Sequence, residues 1–263
     1  MFEEDLMNRT LTITTAALAL VACNKDGATS GELPVADAPV EAVAPPEGQQ
    51  WSDMVVKTDA GGYLMGNPDA AVRVVEYGSM TCGACAYFAT DGMPKLEEEY
   101  IDTGRVSFEF RNYTRDPIDV AASLLARCGD ADTFYPLTEA MFASQQQWFG
   151  SQLPALQQLM PSIQSLPPAQ QFARIAETAG LKTFAAQRGL PAAAADKCLA
   201  DEDAISRLVA MQGVGQSDFG VDKTPYFLIN DTPAPEIDAT YANLKPVLQR
   251  ALGEETAEAE ATQ

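Results

Sequence analysis

Two cysteines set two residues apart, Cys82-Gly83-Ala84-Cys85, stand where a strand pattern gives way to a helical one. The preceding run, Val72-Arg73-Val74-Val75-Glu76-Tyr77, is β-branched and nearly continuous, which reads as a buried strand. Gly78-Ser79-Met80-Thr81 breaks it. A helix is expected from Cys82 to about Asp102, bent at Gly92-Met93-Pro94 and followed by Gly104. Arg105 to Arg111 then alternates as a second strand, giving a βαβ unit whose crossover is long enough for a parallel pair.

A Cys-x-x-Cys alone is either a redox pair or half of a zinc site, and its position decides between them. At a helix N-terminus, unpaired N–H groups and the helix dipole favour a thiolate at Cys82. Cys85 follows one turn on, on nearly the same face, within reach of a reversible disulfide. The spacing leaves Cys82 exposed to attack a substrate disulfide and Cys85 sheltered to resolve the mixed disulfide.

The rest of the chain wraps around that unit. Residues 118–219 are rich in Ala, Leu and Gln with helical apolar spacing, broken near Gly129, Pro154, Pro161, Pro167, Gly180 and Pro191. They read as a helical domain inserted into a sheet domain made of 61–117 and 220–252. Pro225 to Asn230 is a third strand, a short fourth is expected near Glu236-Ile237, and a closing helix runs from about Ala239 to Leu252. Gly62 to Gly66 adds an edge strand.

Composition narrows the chemistry. The formal charge is −20 with no histidine, which excludes Ser-His-Asp triads, Cys-His dyads and histidine metal ligands, and opposes binding to nucleic acid. The 5 cysteines are Cys23, Cys82, Cys85, Cys128 and Cys198. The odd count finds a reason at the N-terminus. Residues 11–22 form an apolar run behind Arg9, too short to cross a bilayer but the length of a signal-peptide core. The acidic residues before Met7 suggest that Met7 is the true start.

The run ends Leu20-Val21-Ala22-Cys23, which resembles a bacterial lipobox. Residues 1–23 are therefore expected to be a signal peptide with Cys23 lipidated, anchoring the chain to a membrane. An ordinary cleavable signal is the alternative. By resemblance to enterobacterial sorting, Asn24 points to the outer membrane. Residues 24–60, rich in Ala, Pro, Gly and Glu, are expected to be a flexible tether, and the acidic 253–263 a disordered tail.

The stretch Glu76-Tyr77-Gly78-Ser79-Met80-Thr81-Cys82-Gly83-Ala84-Cys85, followed after the helical segment by Gly220-Val221-Asp222-Lys223-Thr224-Pro225-Tyr226-Phe227-Leu228-Ile229-Asn230, resembles the DsbA-like branch of the thioredoxin superfamily. The resemblance covers roughly Gly61 to Leu252. It implies an α/β, thioredoxin-like fold with an inserted helical domain, and a periplasmic protein disulfide oxidoreductase that uses no cofactor or metal. It implies exported protein thiols and disulfides as substrates and a membrane redox partner for recycling. It also implies a cis peptide at Thr224-Pro225 facing the cysteine pair, where the Thr224 backbone meets substrate. Glu76 matches the family's buried acid, with Arg105 or Arg111 as its cationic partner.

Many DsbA-like oxidants carry histidine directly before the second cysteine, where Ala84 stands here. That departure keeps a reductase or isomerase of the same fold as an alternative. The polar, Pro-rich 24–62 offers no dimerisation domain, so a monomer is expected. Cys128 and Cys198 are expected to pair in an oxidising compartment, with two separate buried thiols as the alternative. A metal-binding lipoprotein is the non-enzymatic reading.

Overall fold

The computed structural model describes residues 31–254. The signal peptide, Cys23 and most of the acidic tail lie outside the described residues. One six-stranded sheet runs in the order β1 (Val55–Lys57), β2 (Tyr63–Gly66), β4 (Val106–Asn112), β3 (Val72–Gly78), β5 (Tyr226–Ile229), β6 (Thr232–Pro233). β3 and β4 are parallel, and every other neighbouring pair is antiparallel. Among the described residues no helix is long and apolar enough to cross a membrane.

β3 sits in the middle of the sheet, and its residues explain why. Val72 and Val74 face one core, while Val75 and Tyr77 face another on the opposite side with Tyr113, Met211 and Leu228. A strand buried on both faces needs a nearly continuous apolar run, and this one has it apart from half-buried Arg73 and buried Glu76. Glu76 shares the pleat face of Val72 and Val74, so the alternation directs it into the larger core.

The crossover from β3 to β4 is one long helical segment: α1 (Gly83–Tyr87), a π-helical turn at Phe88–Gly92, α2 (Met93–Leu96) and a second π turn at Glu97–Ile101. Pro94 lies just after the first π turn, where the i→i−4 ladder is already shifted. Phe88 is fully buried against Phe227 and Phe108, with ring centroids 5.0 and 6.1 Å away. Burial of one such ring contributes ~1.5–3 kcal/mol and fixes α1 on the sheet.

The helical segment comprises α3 (Pro117–Ala126), α4 (Ala131–Ala143), α5 (Leu153–Ile163), α6 (Pro168–Thr178), α7 (Leu181–Ala186), α8 (Ala192–Leu199) and α9 (Glu202–Phe219). Pro161, expected to break a helix, lies inside α5 close to its end, where the lost hydrogen bond costs little cooperativity. A disulfide joins Cys128, just past α3, to Cys198 in α8, with Cα atoms 5.7 Å apart. The closing helix α10 covers Tyr241–Ala251.

Three further expectations are corrected. The fourth strand is Thr232–Pro233, not Glu236-Ile237, because Asn230 and Asp231 both adopt positive φ (48° and 62°) and turn the chain at once. β2 is interior to the sheet, since β1 pairs outside it. Much of the expected tether is strapped down. Ala36 and Val40 donate N–H bonds to the carbonyls of Ala251 and Leu252, and Val43 donates to Thr103. These acceptors lie at helix ends, where carbonyls lack intrahelical partners. Buried Trp51 donates from its ring nitrogen to the Val43 carbonyl at 2.7 Å. At Gly104, which has φ +73°, a Cβ would lie 2.4 Å from that same carbonyl. Composition showed that this segment has no core of its own, but it fills a groove in another.

Candidate active site

Cys82 is the N-cap of α1, in extended backbone, and its Sγ accepts the N–H of Cys85 at 3.4 Å. A capping side chain normally satisfies one of the orphan N–H donors of the first turn, and here a sulfur takes that role. Cys82 is only 5% exposed and Cys85 is fully buried, so the expectation of an exposed Cys82 is corrected to a sulfur at the floor of the surface. Both are free thiols.

The Thr224–Pro225 peptide is cis, and the Cys82 thiol donates to the Thr224 carbonyl at 3.3 Å. The strand register explains this meeting. Tyr226 pairs with Tyr77, so Thr224 and Pro225 fall beside the loop that follows β3.

The two sulfurs have opposite electrostatics. Cys82 is lowered to about 5, chiefly through a hydrogen bond with Cys85. The Cys85 backbone N–H and the charge of Arg115 act in the same direction, against burial. Burial pushes the Cys85 thiol up, and the Cys82 and Glu76 charges add to that. Such a split is what a nucleophile and a resolving thiol require.

Glu76 is 2% exposed, and its Oε1 has no hydrogen-bond partner. Burial raises it to about 8, the Cys82 charge adds to this, and the Cys85 thiol counters it. Neither expected cation reaches it. Arg111 is bidentate on buried Glu109, at 2.8 and 2.9 Å, and Arg105 pairs with Glu254. The reason is register: Arg111 lies opposite Tyr77, on the other face of the sheet from Glu76. Gly78 gives the carboxyl its room, since a Cβ there would sit 2.4 Å from Phe110 and 2.8 Å from Glu76 Oε1.

The structure adds residues that sequence reasoning missed. The loop Ser79-Met80-Thr81 is clamped from the helical segment. Buried Asp119 on α3 accepts the Ser79 hydroxyl at 2.5 Å and the N–H groups of Met80 and Arg115 at 2.9 and 3.0 Å. Burial raises Asp119 to about 6 against these bonds. Arg115 donates to Ser79 Oγ and Thr81 Oγ1, both at 2.9 Å. Gln145 donates to the carbonyls of Met80 and Cys82 at 2.9 and 3.0 Å. The available signals were an acid within the apolar run of α3 and two hydroxyl residues in the loop. Among the described residues no three Cys, Asp or Glu side chains are grouped to hold a metal ion.

The thioredoxin family model matches residues 58–250. The chain belongs to the thioredoxin family. A Rickettsia bellii relative, provisionally named a protein-disulfide oxidoreductase, is 37% identical over 93 residues, 35% of this chain and 36% of that one. The match thus spans about a third of the curated relative's length. The crystal structure of a protein-disulfide isomerase from Novosphingobium aromaticivorans is 29% identical with a TM-score of 0.69, covering 73% of this chain and 97% of that one. Wolbachia pipientis alpha-DsbA1 is 22% identical with a TM-score of 0.58, covering 75% and 94%, and shares the fold. This thioredoxin-family chain therefore has the DsbA-like architecture: a thioredoxin sheet with helices inserted between β4 and β5.

Proposed function

We propose that the chain is a thiol–disulfide oxidoreductase acting on exported proteins, with Cys82 as the nucleophile and Cys85 as the resolving thiol. One observation carries this reading: a single sulfur caps α1, touches the Thr224 carbonyl beside cis Pro225, and has buried Cys85 behind it. In the oxidising direction, a substrate thiolate attacks Cys82 of the Cys82–Cys85 disulfide. Cys85 leaves with the electron pair and takes a proton. A second substrate thiolate then attacks the substrate sulfur of the mixed disulfide, and Cys82 departs as a thiolate. Two electrons pass from the substrate dithiol to the enzyme, and a membrane redox partner removes them.

Glu76 is the proton donor to Cys85 in this direction and the acceptor in reverse, a role its value of about 8 supports. The Thr224 backbone pairs with an extended substrate segment. Cys128 and Cys198 serve structure, not turnover. No cofactor is needed, because the sulfurs carry the electrons. The mature protein is a periplasmic monomer held to the membrane through lipidated Cys23, on the outer membrane by its Asn24.

The low value at Cys82 favours oxidation, because a stabilised thiolate stabilises the reduced enzyme. A disulfide isomerase or reductase is the second reading, favoured by the name of the Novosphingobium aromaticivorans neighbour.

Trapping tests the roles. In Cys85→Ala, Cys82 attacks client disulfides and cannot be resolved, so client adducts accumulate that a reducing agent releases and that Cys82→Ala lacks. Absence of adducts, or faster alkylation of Cys85 than Cys82 at mildly acidic pH, overturns the assignment.

A further inference from the structure

We propose that Arg115 is a positioning residue for Cys82, supplying from the β4–α3 connection the positive charge that position 84 does not. The inference rests on the oxidoreductase reading and deepens it. Its basis is geometric. Arg115 lies two residues before α3, and its guanidinium forks across the loop that delivers Cys82. Nε holds Ser79 Oγ and Nη2 holds Thr81 Oγ1, each at 2.9 Å, and Thr81 is the residue bonded to Cys82. The planar fork ties two side chains at once, which a lysine ammonium does less rigidly.

The charge is also uncommitted. Among the described residues, no ion pair within 4.0 Å involves Arg115. Its side-chain bonds go to two neutral hydroxyls, while its backbone N–H serves Asp119. The ionisable groups around the Cys82 loop are then Arg115 on its outer side, Glu76 beneath the cysteine pair and Asp119 behind Ser79. Burial holds both acids largely protonated where Cys82 ionises, Glu76 at about 8 and Asp119 at about 6, so the charge that reaches the sulfur there is that of Arg115. Its influence on the Cys82 thiol runs in the stabilising direction. Asp119 adds a second consequence: with its backbone N–H and side chain both engaged, Arg115 cannot swing away without releasing Ser79.

The test measures the sulfur rather than turnover. Arg115→Gln keeps hydrogen-bonding capacity and removes the charge. The Cys82 pKa, read from thiolate absorbance, should rise by about 0.5–1 unit, the size expected for one partly solvated charge nearby. The equilibrium constant with glutathione should shift about three- to tenfold toward the enzyme disulfide, or ~15–30 mV lower in potential. Arg115→Lys should recover at least half of both shifts. Should Arg115→Gln fail to fold by circular dichroism, Arg115→Met keeps the aliphatic stem and makes the same measurement.

An unchanged Cys82 pKa in a folded Gln or Met variant overturns the proposal. So does a Lys variant shifted as far as Gln, which would assign the effect to loop shape rather than charge. Failure here is separable from failure of the oxidoreductase reading. An unchanged pKa with client adducts still trapped by Cys85→Ala refutes only Arg115, whereas loss of adducts in Cys85→Ala itself refutes the reading beneath it.

Discussion

The value at Cys82 determines how the reduction potential must vary with pH. Reduction of a disulfide takes up two electrons. If both thiols are neutral it also takes up two protons, and the potential falls about 59 mV per pH unit; if one stays a thiolate, the fall is about 30 mV. Cys85 is pushed up by burial and remains a thiol, while Cys82 is lowered from its ordinary 9.0 to about 5. The slope should therefore be the steeper one below about pH 5 and half as steep from there to neutrality. At pH 7 a thiol at about 5 is ionised roughly a hundredfold over its neutral form, whereas one at 9.0 is nearly all neutral. That preference stabilises the reduced enzyme by about two decades, or ~60 mV. Equilibration with redox buffers from about pH 4 to 7, read by alkylation and gel shift, gives the curve. The potential at neutrality should lie between about −270 and −120 mV. A slope near 59 mV up to pH 7 would show that Cys82 is neutral and would refute the electrostatic argument. A value at or below about −270 mV would favour the reductase.

Two further outcomes are expected. Glu76 has a folded value raised to about 8 from 4.5, so its burial costs stability progressively as pH climbs from 4.5 through about 8. Glu76→Gln should thus be more stable than wild type near pH 8, by roughly 2–4 kcal/mol in denaturant unfolding, while slowing resolution of the mixed disulfide several-fold; equal stability at pH 5 and pH 8 would contradict this. The Cys128–Cys198 bond closes a separation of 70 residues, for which chain entropy gives about 4 kcal/mol. The double replacement Cys128→Ala, Cys198→Ala should lower stability by ~2–4 kcal/mol and leave the Cys82–Cys85 potential within about 10 mV, and a large change in potential would show that the bond takes part in the redox chemistry.

The βαβ core was legible because its signals are local. Val72 to Tyr77 carries valines toward both faces, and a cysteine at a strand–helix junction has few places to go. Burial of Glu76 followed from the valines beside it. Its partners did not, because pairing depends on register: a one-residue offset puts Arg111 on the opposite face, against Glu109. The clamp was hidden for a similar reason. Asp119, Arg115 and Gln145 lie 34 to 65 residues from the partners they hold in and beside the loop, and no local pattern links them to it. The strap at Ala36 to Trp51 reads as tether by composition, since isolated Val40, Val43 and Trp51 make no periodic pattern. Its bonds to helix ends exist only once those helices have formed.

The charge of the whole chain sharpens the case for local control of Cys82. A net −20 would by itself disfavour a second anion at the site. In water, however, one unit charge 10 Å away contributes only about 0.4 kcal/mol, and physiological salt screens it over about 8 Å. Groups in contact with the sulfur or its loop face no such loss. The Cys85 N–H and thiol, together with Arg115 across two hydroxyls, are held in place by buried residues. Acidity can therefore accumulate on the surface without weakening the thiolate, provided that the clamp between Asp119 and Ser79 keeps Arg115 where it is.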